Sequence, residues 1–274
     1  MIRVEGDRFL SLGAGVQSSA MYALCTIGDL PRPKQAIFAD TGCEPRAVYE
    51  WLQKLEAWGE KYNGPPIVKV TKGDLFMDHF VGTRVSMIPA YVINDRGGVG
   101  RLRRQCTRDY KLVPLARQMR EAMGVSWKGP CRHVATVMIG ISKDEEFRAR
   151  NAKPPSDKSD WQRRTYPLLD LNLTRTDCKE ITQIVGMGIP PKSACIICPY
   201  HSDISWLQVK RDKEDWETAV WFDYQIRDWY KTGRAGITGP MYLHQTCKPL
   251  DKIKFEYDDT NPGLSEECLG ICGV

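Results

Sequence analysis

The sequence predicts an α/β protein with a doubly wound, mostly parallel sheet and a C-terminal helical, cysteine-rich extension. Short apolar runs typical of buried strands alternate with longer segments that carry apolar residues at helical spacing. In addition, a loop rich in glycine and serine joins the first predicted strand to the first predicted helix. This order of elements favours a sheet covered on both faces, with ligands at the carboxyl ends of its strands.

The alternation continues through most of the chain. We expect a nucleotide-binding α/β domain over residues 1–190 and an extension over residues 191–274. The extension contains a Cys-x-x-Cys pair, an aromatic helical segment at 203–231 and a tail with two cysteines. We expect the aromatic segment to pack against the core, and stacking on bases is the alternative. The strands are predicted at 8–12, 35–40, 67–70 and 134–141, and the helices at 18–28, 45–62, 107–123 and near 174–187.

Composition excludes several classes of protein. With 274 residues, of which 42% are hydrophobic and 27% charged, the chain has the composition of a globular enzyme rather than a disordered protein. It has no apolar run of about 18 residues and no apolar signal core, so we expect a cytoplasmic protein with no membrane partner. Ten cysteines in such a protein favour metal-binding or catalytic roles over a disulfide framework.

Residues 10–19, Leu-Ser-Leu-Gly-Ala-Gly-Val-Gln-Ser-Ser, are a candidate phosphate site. Gly13 and Gly15 have no Cβ, so the backbone can turn sharply and approach a ligand closely. Ser18 and Ser19 add hydroxyls near the unpaired N–H groups at the positive end of the helix dipole. The loop lacks both the lysine of the nucleotide-triphosphate loop and the third glycine of the dinucleotide loop. Taken alone, it could also be an ordinary turn between a strand and a helix.

The loop resembles the PP-loop, Ser-Gly-Gly-x-Asp-Ser, of ATP pyrophosphatases and sulfonucleotide reductases. Gly13, Ala14 and Gln17 stand where that motif has Ser, Gly and Asp. Other segments resemble, in the same order, motifs of the phosphoadenosine-phosphosulfate (PAPS) reductases and the adenine nucleotide alpha hydrolase-like proteins. They are Asp40-Thr41-Gly42, residues 105–115, residues 139–148, residues 166–170, Cys195-Ile196-Ile197-Cys198 and residues 267–270.

The resemblance implies that an adenine nucleotide binds at the loop and at the ends of the following strands. The nucleotide would be ATP, adenosine phosphosulfate (APS) or its 3′-phosphorylated form, PAPS. The implied nucleotide-binding residues are Ser11, Gly13, Ala14, Gly15, Gln17, Ser18, Ser19, Asp40, Thr41, Gly42, Gly140, Lys143 and Arg148.

Cys195 and Cys198 are candidate metal ligands, because neighbouring prolines place them on a rigid turn where two thiolates could bind one centre. A redox dithiol and two unrelated thiols are the alternatives. In the cluster-bearing reductases that the chain resembles, two further ligands precede a Lys-x-x-Pro-Leu element, where this chain has Cys106 alone. The resemblance thus implies a [4Fe–4S] cluster with Cys106, Cys195 and Cys198 as ligands. Cys272, in the tail, is our candidate for the fourth ligand. Cys268, Cys247 or an open position are alternatives for the fourth ligand, and zinc is the alternative metal.

The tail contains the candidate nucleophile. Cys268 matches the tail cysteine of the reductases, which attacks the sulfur of the sulfonucleotide and forms a protein thiosulfonate. Such a reaction also implies a thiol reductant protein as partner. A frayed terminus with inactive thiols is the alternative.

Residues 96–104 form a glycine-rich segment with four arginines. We expect it to stay mobile until it binds the phosphates of a nucleotide or of a nucleic acid.

These observations leave three candidate functions. The first, which we favour, is a PAPS reductase-like enzyme that uses an adenine nucleotide and an iron–sulfur centre for sulfonucleotide reduction or sulfur transfer. The second is an ATP pyrophosphatase-type enzyme that adenylates and thiolates a nucleic-acid substrate. The third is a non-catalytic nucleotide-binding protein with structural zinc.

Overall fold

The computed structural model describes residues 4–81, 88–94, 96–150, 161–232 and 237–255 of the chain. Short strands are distributed along the whole of this length. The strands are β1 (Val4–Leu12), β2 (Gln35–Asp40), β3 (Ile67–Thr71), β4 (Tyr91–Ile93), β5 (Val99–Arg101), β6 (His133–Ile139), β7 (Gln162–Thr165) and β8 (Met241–Tyr242).

Helices follow most of the strands. A π-helical turn, Thr107–Leu112, leads into the fourth of them. The α-helices are α1 (Val16–Ile27), α2 (Arg46–Lys61), α3 (Leu75–Val81), α4 (Val113–Ala122), α5 (Glu146–Arg150), α6 (Pro167–Asp170), α7 (Arg175–Ile184), α8 (Asp203–Arg211) and α9 (Lys213–Arg227).

The main sheet has the strand order β3-β2-β1-β6-β7, and all its neighbouring strands run parallel. Its side chains alternate between two apolar layers, as the twofold repeat of a strand requires. Leu10 and Phe38 pack in the layer that includes residues of α1 and α2, whereas Phe9 and Ile37 pack in the opposite layer with residues of α4. The predicted doubly wound α/β class is therefore confirmed.

The strand order reverses direction at β1. The chain passes from β1 to β2 and β3 on one side of the sheet, and β6 and β7 lie on the other side. In open α/β sheets, ligands bind in the crevice that such a reversal leaves at the carboxyl ends of the strands. Here that crevice lies between the ends of β1 and β6, where the glycine- and serine-rich loop begins.

A smaller antiparallel sheet, with the order β5-β4-β8, lies in a separate apolar cluster. This cluster buries Leu75 and Tyr110 together with Trp206 and Phe222, so it combines residues from both sides of position 190. The division of the chain at residue 190 stays a prediction. The aromatic segment is helical as predicted, although it is divided into α8, α9 and a 3₁₀ turn at Trp229–Thr232.

Part of the arginine-rich segment is a strand. Val99–Arg101 pairs with Tyr91–Ile93 as strand β5, and the guanidinium groups of Arg101 and Arg104 lie 4.5 and 5.2 Å from the ring centre of Tyr200. The mobility of this segment before it binds phosphates stays a prediction. Within the described ranges, no helix has both the length and the apolar composition to span a membrane.

Candidate nucleotide-binding site and cysteine cavity

A cavity, which we call the phosphate cavity, lies in the crevice between the ends of β1 and β6. One wall is the loop before α1, a second wall carries basic side chains, and a third is apolar. The residues that line it are Ser11, Leu12, Gly13, Gly15, Val16, Gln17, Ser18, Phe38, Ala39, Lys111, Leu115, Ile139, Gly140, Glu145, Arg148, Arg175, Lys192 and Ser193.

The loop reaches α1 through a tight turn. The Gly13 N–H donates to the Ser18 Oγ at 3.2 Å, and the Ser18 hydroxyl donates to the Gly15 carbonyl at 3.3 Å. Ala14 has a φ of +54°, in the left-handed region that favours glycine, at the position where the PP-loop has glycine. The 12-residue helix α1 then begins at Val16 without a side-chain cap. Its first N–H groups have no partner within the helix and lie at the wall of the cavity.

Two glycines permit close packing around this loop. A Cβ on Gly15 would overlap with the Ser193 side chain, and a Cβ on Gly140 would lie 3.1 Å from the Ser18 backbone nitrogen. A Cβ on Gly13, in contrast, would make only ordinary contacts, at 3.5 Å from the Ser193 Oγ and 3.8 Å from the Ser18 Oγ. Gly15 and Gly140 are therefore required by the packing of the protein, whereas Gly13 leaves space beside the helix N-terminus.

Four basic side chains line the cavity together with a single acidic one. Lys111 forms a salt bridge of 3.0 Å with Glu44, and Arg148 pairs with Glu145. Arg175 is the first residue of α7, which begins there because Thr174 and Asp177 form a capping box. The remaining basic side chain is that of Lys192, in the segment that also presents Ser193.

Gln17 links three parts of this site. Its Nε2 donates to the Ser142 Oγ at 3.3 Å, and its Oε1 accepts from the Arg175 guanidinium at 3.2 Å. The side chain that replaces the Asp of the PP-loop thus holds an arginine at the cavity wall. A carboxylate there would carry a charge of its own, whereas this amide is neutral and serves to position a cation.

The structure brings together about half of the predicted nucleotide-binding residues. Ser11, Gly13, Gly15, Gln17, Ser18, Gly140 and Arg148 line the phosphate cavity. Ala14 shapes the turn. The Ser19 hydroxyl does not contribute to the cavity wall, because it accepts a hydrogen bond of 2.9 Å from the buried Trp51 indole.

The other predicted residues lie beside the cavity. Asp40 accepts hydrogen bonds from the Gly42 N–H at 2.9 Å and the Tyr49 hydroxyl at 2.8 Å, so it fixes the turn after β2. Lys143 forms a salt bridge of 3.2 Å with Glu146 near the surface. None of these residues is among those that line the phosphate cavity.

Sequence reasoning did not include Lys111, Arg175, Lys192 and Ser193 among the site residues. Lys111 lies in the block that resembles the Lys-x-x-Pro-Leu element, and this signal could have identified it. Arg175, Lys192 and Ser193 lie far from the loop in sequence, and none of them belongs to a segment that resembles a nucleotide-binding motif. The fold alone brings them to the loop.

A second, smaller cavity, which we call the cysteine cavity, has a volume of about 30 Å³. Cys106, Cys195 and Cys198 line it together with Thr41 and Lys111, and Lys111 therefore lies at the walls of both cavities. The Cys-x-x-Cys turn reaches this cavity because the backbone N–H of Ile196 donates to the Cys43 carbonyl at 2.8 Å, which fixes the turn to the segment after β2.

A buried carboxylate organises this cavity. One oxygen of Glu44 accepts from Lys111 at 3.0 Å, from the Thr41 hydroxyl at 3.2 Å and from the Cys195 thiol at 3.5 Å. Burial, followed by the charge of Glu44, raises the pKa of Cys195 well above its usual value, while Lys111 acts in the opposite direction.

The donor set partly agrees with the predicted metal centre. Three thiols at one cavity are the ligands that iron–sulfur clusters and structural zinc use. Among the described residues, however, no group of three His, Cys, Asp or Glu side chains is arranged to hold a metal ion. The predicted nucleophile Cys268 and the predicted fourth ligand Cys272 lie outside the described residues.

Comparisons with known proteins add little to this geometry. Neither the protein families nor the curated proteins include a match to the chain. Among solved structures, the chain is similar to a PAPS reductase from Candida auris, crystallised as a phosphate complex. The two chains share 15% sequence identity, the alignment covers 69% of this chain and 75% of that one, and the TM-score is 0.41. A likeness of this degree says nothing about function, so the proposals below depend on the residues of this chain.

Proposed function

We propose that the protein binds an adenine nucleotide, with its phosphates in the phosphate cavity. The observation that carries this proposal is the uncapped N-terminus of α1 beside four basic side chains at one cavity. Backbone N–H groups at a helix N-terminus and charged Arg or Lys groups both favour phosphate oxygens.

The apolar wall favours a nucleotide over a free inorganic anion. Phe38, Leu115 and Ile139 line the same cavity as the loop. A planar base can bury its faces on such side chains while its phosphates contact the loop. That the base is adenine is implied by the PP-loop resemblance.

We further propose that the bound nucleotide serves sulfur chemistry of the PAPS reductase kind. In this reaction the Cys268 thiolate attacks the sulfur of a sulfonucleotide, an S–S bond forms, the S–O bond to the nucleotide breaks, and the nucleotide phosphate leaves with the bonding electrons. A dithiol reductant protein then releases sulfite and is itself oxidised to a disulfide. Basic residues such as Lys111 and Arg148 would stabilise the charge on the leaving phosphate.

The metal centre remains part of the proposal. Cys106, Cys195 and Cys198 would supply three thiolate ligands and Cys272 the fourth, for a [4Fe–4S] cluster or, alternatively, zinc. When bound beside the nucleotide, an iron–sulfur cluster would supply electrons or hold a sulfide for transfer.

A second candidate function is ATP-dependent thiolation of a nucleic acid. The observation that favours it is the pair Arg101 and Arg104 on the ring of Tyr200, next to the Cys-x-x-Cys turn. Two guanidinium groups at this place could bind consecutive phosphates of a strand. In that reaction an oxygen of the nucleic acid would attack the α-phosphorus of ATP, and pyrophosphate would leave. A sulfide donor would then attack the adenylated carbon, and AMP would leave with the oxygen.

One experiment distinguishes the candidates. Anaerobically purified protein is incubated in parallel with ATP, APS and PAPS, with a dithiol reductant, and with a single-stranded oligonucleotide and sodium sulfide, and all products are measured. Sulfite from APS or PAPS, with ATP left intact, supports the reductase. AMP and pyrophosphate from ATP support the second candidate, and nucleotide binding without turnover supports a regulatory protein. Absence of binding by all three nucleotides would contradict the proposed nucleotide site.

A further inference from the structure

A third cavity, which we call the proline-lined cavity, adjoins the phosphate cavity and has a volume of about 470 Å³. It lies between the segment that precedes the Cys-x-x-Cys turn and the first turns of α2, α7 and α9. Its size is in the range of cavities that bind small organic molecules.

The two cavities share a wall. Val16, Arg175 and Lys192 line both of them. A ligand in the proline-lined cavity would therefore lie against the same helix N-terminus and the same two cations that face the nucleotide phosphates. This position is the one that a second substrate needs in order to react with a group on the nucleotide.

The walls of the proline-lined cavity have two different characters. Pro190, Pro191 and Val209 form an apolar side, with Ile189 at 55% exposure near the opening. Arg175 and Lys179, which are four residues apart on α7 and hence on one face, form a basic side. Lys192 and Arg211 add two further positive charges.

The two acidic residues of this cavity have partners of their own. Asp212 caps α9, because its carboxylate accepts hydrogen bonds of 3.0 Å from the N–H groups of Glu214 and Asp215. Asp215 accepts a hydrogen bond of 3.2 Å from the backbone N–H of Arg46, whose guanidinium in turn lies 3.9 Å from Asp212. Both carboxylates are thus occupied by hydrogen bonds from α2 and α9, and the wall that the two cavities share carries the basic residues Arg175 and Lys192.

We propose that the proline-lined cavity binds a second substrate that carries a phosphate group on an apolar body. The phosphate would contact Lys179 and Arg175, and the body would pack on the prolines. The phosphate could belong to a small phosphate monoester or to a phosphodiester in a nucleic-acid strand, because both present the same oxygens to these cations. This inference rests on the proposed nucleotide site, since it assigns the adjoining cavity to that site's reaction partner.

Lys192 is the residue that would connect the two ligands. Its Nζ donates to the Ser205 hydroxyl at 2.5 Å, on the α8 side of the cavity, while its side chain also lines the phosphate cavity. A cation in this place can contact phosphates of both ligands without moving far. We therefore expect Lys192 to make the affinity for one ligand depend on whether the other ligand is bound.

The experiment measures binding of two probes to protein saturated with whichever of a non-hydrolysable ATP analogue, APS or PAPS binds in calorimetry. The probes are 1-naphthyl phosphate, a fluorescent monoester, and a short fluorescein-labelled oligothymidylate. Lys179→Glu removes a cation from the cavity, and Gln208→Trp fills the cavity without a change of charge. Lys213→Glu makes the same charge change outside the cavity, at a side chain that is 85% exposed, and is the matched control.

We expect at least one probe to bind the wild type, and both cavity variants to weaken it by about tenfold or more, while the control stays within about twofold. The probe that binds identifies the monoester or the phosphodiester as the source of the phosphate. Absence of binding by both probes would overturn the proposal, and so would equal binding by the cavity variants and the control. Calorimetry of the ATP analogue, APS and PAPS on the same samples separates the two levels, because absence of binding by all three contradicts the proposed nucleotide site itself.

Discussion

The phosphate cavity and the cysteine cavity lie on either side of Lys111, and they are constructed in different ways. The first is centred on six consecutive residues, 13–18, whose backbone makes the turn and begins the helix. The second has no such central loop, because its walls come from five segments around residues 41, 75, 88–89, 104–111 and 194–199, and its three thiols come from two of them. A site made by the backbone depends on the conformation of one loop, whereas a site made by distant side chains depends on the packing of the whole fold. The two cavities should therefore respond differently to substitution.

The largest effect is expected in the cysteine cavity. Cys195→Ala and Cys198→Ala should each remove the bound metal completely, because a cluster that loses a thiolate ligand is exposed to solvent and oxidant. We expect anaerobically purified wild type to be brown with about four irons and four sulfides per chain. Iron, sulfide and zinc analysis with absorption spectra provides the measurement.

Cys131→Ala is the control for this prediction, because Cys131 lies before β6 and donates to the His133 carbonyl, away from the cavity. It should retain the wild-type colour. If the wild type is colourless and contains one zinc and no sulfide, the cysteines bind zinc and not a cluster. If it contains no metal, the metal centre is not part of the function.

The next effect concerns the loop. Gly13→Val places methyl groups in the space beside the helix N-terminus, so nucleotide affinity should fall about a hundredfold. The melting temperature should hardly change, because a Cβ at Gly13 meets only ordinary contacts. Gly15→Ala is the comparison variant. It overlaps with Ser193 and should lower the melting temperature as well. Unchanged nucleotide affinity in Gly13→Val would show that the phosphates bind elsewhere.

Lys111 tests the connection between the cavities. Lys111→Met should lower nucleotide affinity about tenfold and the free energy of unfolding by about 2 kcal/mol, because the Glu44 carboxylate, only 2% exposed, loses its cation. Adding Glu44→Gln should restore much of the stability but none of the nucleotide affinity. Calorimetry and denaturant unfolding measure the two quantities separately. If the double variant recovers both the nucleotide affinity and the free energy of unfolding, Lys111 serves only to neutralise the charge of Glu44.

A smaller effect is expected at Gln17. Gln17→Leu keeps the size of the side chain but removes the hydrogen bonds to Ser142 and Arg175, so nucleotide affinity should fall about fivefold. The same measurement on Arg175→Leu and on the double variant tests whether Gln17 acts through Arg175. In that case the double variant loses no more affinity than Arg175→Leu alone.

The smallest effect concerns Ala14, the residue with a left-handed backbone. Ala14→Gly should raise the free energy of unfolding by up to about 1 kcal/mol, because relief of strain outweighs the greater freedom of glycine in the unfolded chain. Nucleotide affinity should not decrease. A loss of stability would mean that the buried methyl group contributes more by packing than the conformation costs.

Local patterns predicted much of the fold. The strand at 35–40 agrees with the structure at both ends, and the helix predicted at 45–62 is observed as Arg46–Lys61. Apolar periodicity and turn residues determine such elements within a short window. The small sheet was missed because β4, β5 and β8 have only two or three residues each, too few to show a period.

The residues of the site were likewise predictable only where they form a local pattern in the sequence. The loop residues Gly13, Gly15, Gln17 and Ser18 carry their signal in consecutive positions, and the structure places them at the cavity. Arg175, Lys192 and Ser193 reach that cavity through the placement of α7 and of the segment after it, which no local pattern encodes. Ser19 was misassigned because sequence does not show that its hydroxyl meets Trp51 in the core.

The pairing of β4 with β8 also has a consequence for the order of events during biosynthesis. Val92 cannot pair until Met241 has left the ribosome, whereas the parallel strands around the loop are complete once β7 has emerged. We expect a nascent chain in which the central sheet is already folded while the walls around Cys106 and Cys195 are still open. During this interval the thiols are accessible from solution, before the last strand closes the surrounding core.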